Sequence, residues 1–168
     1  MEEIYSGTYS GLTNGTNLKR NAEAYVTASR NLRQSELLAQ AALNAFSHRT
    51  AVLDEAGVIT LVNNAWRSYA VSNSNRHYYK CCCEGANHLD VCDNARGKDS
   101  GYAVKMAARI RAAIRRERIE YVLKYPWGYV KPMQWFIGRV LSYADIHGVC
   151  TVVAHEAITE RKFAEDGL

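Results

Sequence analysis

Three β-patterned segments follow one another near the C-terminal end with no helical repeat between them, and this limits the fold more than any other feature. Tyr121, Leu123 and Tyr125 alternate along the first segment, and Trp135, Ile137, Arg139 and Leu141 alternate with Phe136 and Val140 along the second. The third, Val149 to Ala154, is almost continuous in β-formers. The intervening stretches hold Pro126, Gly128 and Pro132, or Asp145 and Gly148, residues that suit hairpin connections. The expectation is an antiparallel meander.

Upstream, Thr50 to Asp54 and Val58 to Val62 are apolar runs flanking the turn Glu55-Ala56-Gly57, which predicts a further hairpin. Asn63 and Asn64 then provide a cap for a short helix carrying Ala65, Trp66, Tyr69 and Ala70. Residues 72–85 show no clean period and read as a loop. A short helix is expected over 87–95. A longer one over 101–116 gathers Tyr102, Met106, Ile110, Ala113 and Ile114 into one stripe. Strands and helices are thus segregated along the chain. This predicts an α+β fold with a five-stranded antiparallel sheet, helices on one face, and a long N-terminal helix in front.

That N-terminal helix is expected over 18–46, after a Gly-, Ser- and Asn-rich leader over 1–17. Leu18, Ala22, Tyr25, Leu32, Ala39, Leu43 and Phe46 recur at spacings of three, four and seven. Such a seam serves either a coiled-coil dimer or a helix folded back on its own domain. The 168 residues fit one domain with an appendage. With 48% apolar and 23% charged residues, the composition is that of a globular chain. No apolar run approaches the roughly 20 residues of a membrane span, and no signal peptide is evident. Five cysteines, three of them consecutive, make a poor disulfide plan. The expected setting is therefore cytoplasmic.

At this point the residues resemble a known family. Ala51-Val52-Leu53-Asp54-Glu55-Ala56-Gly57-Val58-Ile59, with Val62-Asn63-Asn64-Ala65-Trp66, is similar to the opening hairpin and first helix of a bacterial PAS domain. Val153-Ala154-His155-Glu156-Ala157-Ile158-Thr159-Glu160-Arg161-Lys162 resembles that family's last strand and exit linker. Asn87-His88-Leu89-Asp90-Val91-Cys92, and Tyr125-Pro126 followed by Trp135-Phe136, resemble a subgroup of it. The resemblance implies a sensor domain over 47–157, an exit linker over 158–168, and a small cavity between sheet and helices. Its candidate lining is Tyr125, Trp135, Arg139, Cys92 and Met106. It also implies a homodimer that relays its state through flanking helices to a kinase, cyclase or transcription factor. Two positions depart from the pattern. Ala157 stands where the exit motif commonly has Asp, and Trp127-Gly128 where the subgroup commonly has Cys-His.

The sharpest alternative is a metal- or redox-responsive protein using Cys81, Cys83, His88 and Cys92, because thiolates and imidazole are the ligands zinc favours. His88 and Cys92 would face one side of a helix. A zinc-knuckle spacing, however, would also need cysteines where Lys80 and Asp93 stand. Haem would have to use Met106, His88 or a cysteine, since the longer helix carries no histidine. Flavin has no residue pointing to it. His48, His77, His147 and His155 read as surface or satisfied structural groups. Arg139 shares a strand face with Trp135, so it either binds an anion in the cavity or, facing outward, stacks on Trp135 or pairs with an acid. The basic residues between Lys98 and Lys131 read as a solvated helix face rather than a nucleic-acid surface. No phosphate loop, nucleophile elbow or His-Glu-x-x-His is present, so no enzyme activity is expected.

Overall fold

The computed structural model describes residues 8–72, 82–97, 100–127, 133–145, 148–165 and 167. Cys81, His77 and His147, the Gly128 and Pro132 connection, and the first seven residues of the expected leader lie outside them. The chain forms two compact units, up to Ala41 and from Ala42 onward.

Helix α1 runs over Thr8–Asn44, 37 residues. Residues 8–17, expected to be a mobile leader, are helical. Each Thr, Ser, Asn or Gly costs a helix only about 0.5–1 kcal/mol, and adding a residue to an existing helix avoids the cost of nucleation. At its other end the helix stops at Asn44, two residues before Phe46. Ala45 and Phe46 donate their amides to the carbonyls of Ala42 and Leu43, tightening the last turn. Leu18, Tyr25, Leu32, Leu37 and Leu38 are all more than half exposed.

The second unit contains β1 (Arg49–Leu53), β2 (Ile59–Val62), α2 (Asn64–Ser72), α3 (His88–Asp93) and α4 (Ser100–Ile114). It continues through β3 (Glu120–Trp127), β4 (Gln134–Asp145), β5 (Gly148–Ala157) and α5 (Thr159–Glu165). The five strands form one sheet of order β2-β1-β5-β4-β3, each neighbour antiparallel. The β1–β2 turn is fixed locally. Oδ1 of Asp54 accepts from the amides of Ala56 and Val58, both at 2.9 Å. Gly57 holds φ +82°, and a Cβ there would press on Leu89.

Side chains alternate across the sheet. The register puts Ala51, Leu53, Val140 and Val153 on one face, where they pack against Ile59, Val62 and the α4 stripe of Met106, Ile110 and Ala113. The stripe read from the sequence is the one that meets the sheet. Short α3 is set by Asn87, whose side chain accepts from the amides of Leu89 and Asp90.

Candidate ligand site and its junctions with the flanking helices

The inner face of the sheet ends in a polar and aromatic cluster instead of pure hydrocarbon. The β1–β5 register sets Arg49 opposite His155, and the β5–β4 register sets His155 opposite Gly138. Tyr125 and Phe136 form the next pair, ring centroids 5.8 Å apart and stacked. The Tyr125 hydroxyl and Nδ1 of His155 share a 2.6 Å hydrogen bond. Trp66 of α2 lies against two imidazoles, 5.7 Å from half-buried His155 and 5.5 Å from buried His88. Its indole N–H donates to the Cys82 carbonyl at 2.6 Å. The Arg49 guanidinium lies over the Tyr69 ring at 3.8 Å and the Phe136 ring at 4.6 Å.

Burial sets the charge state of this cluster. It pushes His88 down to about 4, and it pushes His155 down to about 3 with help from Arg49 and His88. Both rings are neutral near pH 7. Burial raises Tyr125 well above an ordinary phenol, although Arg49 beside it works the other way. Nδ1 of His88 is buried with no hydrogen-bond partner. Gly138 leaves a notch in the sheet that the tip of Met106 occupies. A Cβ there would overlap Cε of Met106, with Tyr125 and His155 next to it.

The structure brings Tyr125, Met106 and Cys92 into this neighbourhood, all buried. Trp135 and Arg139 lie on the opposite face of β4. Arg139 is half-exposed and donates to Oε1 of Glu120 at 3.2 Å. Alternation correctly put those two on one face, but the sequence did not tell which face was inward. Of the metal alternative, Cys83, His88 and Cys92 are buried, and Cys81 lies outside the described residues. Burial, with Asp93 and Cys82 adding to it, pushes the Cys92 thiol up to about 12, so it stays protonated at neutral pH. Among the described residues no three His, Cys, Asp or Glu side chains group closely enough to hold a metal ion. Met106, the haem-ligand candidate on the longer helix, has its tip against Gly138.

Sequence reasoning missed Arg49, and it left Trp66 and His155 as structural residues. The available signal was the alternation in β5, which puts His155 on the face of Val153.

Two junctions tie this cluster to the ends of the domain. Asn63, fully buried, accepts through Oδ1 from the amides of Thr50 and Trp66, both at 3.0 Å. Its Nδ2 lies 3.2, 3.2 and 2.7 Å from the carbonyls of Leu43, Phe46 and His48. Oδ1 of Asn44 in turn accepts from the amide of Asn64 at 2.8 Å. One side chain therefore joins the last turn of α1, the start of β1 and the first turn of α2. At the exit, the Trp135 amide donates to Oγ1 of Thr159 at 2.9 Å, and the Ile158 amide donates to the Trp135 carbonyl at 2.8 Å. Thr159 thus fixes this junction next to Ala157, where the exit motif commonly has Asp.

Sheet order, helix placement and the long leading helix define a PAS-like fold. The PAS domain of Bordetella pertussis BvgS superposes with a TM-score of 0.55 at 16% identity, covering 80% of this chain and 93% of that one. Two VqmA structures superpose with TM-scores of 0.50. The phage VqmA–DPO complex is 12% identical, with 89% of this chain and 60% of that chain covered. The Vibrio cholerae VqmA dimer is 14% identical, with 77% and 52% covered. In sequence, an uncharacterized 104.1 kDa protein encoded in the hypE 3′ region of Rhodobacter capsulatus is 30% identical over 135 residues. Those residues are 80% of this chain, which spans 14% of that relative's length. No family model matches the chain. No helix among the described residues is long and apolar enough to cross a membrane.

Proposed function

We propose that this chain is a non-catalytic sensory PAS module that holds a small ligand or protein partner and relays its state through its flanking helices. The observation that carries this reading is the Asn63 junction. Trp66 and Arg49 line the inner cluster, and Asn63 binds the amide of one and the neighbour of the other while it holds the Leu43 carbonyl in the last turn of α1 and the carbonyls of Phe46 and His48 just beyond it. A change in the cluster that moves α2 or β1 has a direct mechanical route to that helix. In this reading α1 forms a homodimer along its exposed apolar seam, and a kinase or cyclase domain or partner receives the signal. The relative of 104.1 kDa supports such an arrangement, since a segment like this one is only a small part of it. The odd cysteine count with three consecutive cysteines suits a reducing, cytoplasmic setting in this reading.

Sedimentation velocity tests the dimer. The wild-type chain is expected to sediment as a dimer at tens of micromolar, and Tyr25→Glu with Leu32→Glu as a monomer with unchanged near-UV dichroism. A monomeric wild type would remove the coiled-coil part of the reading.

A further inference from the structure

Arg49 is the odd group in the cluster. It projects from the inner face of the sheet, its guanidinium is held by two aromatic rings, and no carboxylate among the described residues pairs with it. Among the described residues, Arg67, Arg111, Arg115, Arg139 and Arg161 each pair with a carboxylate. Tyr69, Tyr125 and His155 lie beside Arg49, and no acid among the described residues pairs with them. Across Trp66 from His155, Nδ1 of His88 is buried without a hydrogen-bond partner. The side chain that fills the space is also its most adaptable one. Methionine has three rotatable bonds, and the tip of Met106 sits over Gly138 beside Tyr125 and His155.

We infer that this space takes a small organic anion, a carboxylate whose apolar tail is about the size of the methionine side chain it displaces. Its charged end sits on the half-exposed Arg49 guanidinium, and its tail lies over Gly138 between Tyr125 and Trp66. This rests on the reading of the inner cluster as a ligand site, and it adds the ligand's charge and size. A planar guanidinium backed by aromatic rings gives a carboxylate two parallel donors, in an environment where a charge-assisted bond is stronger than in water. A neutral His155 and a guanidinium that no described carboxylate pairs with make the site favour an anion over a cation of the same shape.

The probe pair is butyrate and butyramide, equal in shape and different in charge, titrated into the whole chain while the Trp66 indole and Arg49 side-chain resonances are followed. Butyrate is expected to shift both resonances saturably, with butyramide about tenfold weaker or more. Arg49→Gln is expected to erase the difference, and Arg49→Lys to restore part of it. Equal binding of the two probes to the wild type overturns the anion inference and leaves a ligand site. Binding of neither probe, to the wild type or to Met106→Ala in which the notch is vacated, overturns both the inference and the ligand-site reading.

Discussion

Asn63 is the residue on which the second unit depends most. Replacing it with Ala would strip two buried amides of their acceptor and three carbonyls of their donor. Each buried group left unmade costs about 1–3 kcal/mol, so Asn63→Ala should lose roughly 3 kcal/mol or more in a urea titration. Asn63→Asp keeps the acceptor but turns an oxygen toward the three carbonyls, and it should fare no better. The imidazoles give a pH signature. With folded values near 4 and 3 against an unfolded value of about 6.5, the unfolded state binds more protons between those limits, so stability rises with pH across that window. Their contribution is complete above pH 7 and is lost as pH falls through 6.5. Between pH 7.5 and 5.5 the expected loss is roughly 1 kcal/mol for each ring. That range lies above the ordinary titration of carboxylates, so a flat urea midpoint across it would mean that the rings are charged in the folded state. Gly138→Ala should cost about 1 kcal/mol or more, because Met106 must leave the notch, and Met106→Ala in the same chain should reduce that penalty.

At the scale of elements, the sequence was read best where periodicity and burial agree. In α4 the 3.6-residue stripe of Met106, Ile110 and Ala113 is the buried stripe. All five strands fall where alternation or a continuous run of β-formers placed them. The Gly57 turn was also legible, and Gly57→Ala, strained at positive φ and pressed on Leu89, should destabilise by about 1–2 kcal/mol in thermal unfolding. Helix α1 starts ten residues before the position that composition predicts, because a helix already nucleated downstream extends at low cost through poor helix formers. The inner cluster was only half legible. Period two assigns side chains to faces but does not say which face is covered, so Arg139 and Trp135 entered the pocket list while Arg49 and His155 did not. Face identity follows from where α4 lands, and that is a property of the tertiary packing. Asn63 was legible as a cap, but its bonds to Leu43, Phe46 and His48 depend on where the end of α1 is brought in the fold.

For the molecule as a whole, the structure is a PAS-like domain with a hydrogen-bonded junction at each of its helical ends. Asn63 holds the entry through α1, α2 and β1, and Thr159 holds the exit through β4 and α5. Met106, a flexible member of the core cluster, has its tip against Gly138. Hydrogen exchange read by mass spectrometry tests the proposed coupling of cluster to junctions most directly, comparing the wild type with Met106→Ala and, as a control for lost stability, with Leu53→Ala. The account predicts that Met106→Ala changes exchange severalfold at the end of α1, over 42–48, and in α5, over 158–165, beyond the change in the control. Changes confined to α4 and the strands beneath it, with both junctions exchanging as in the control, would contradict it.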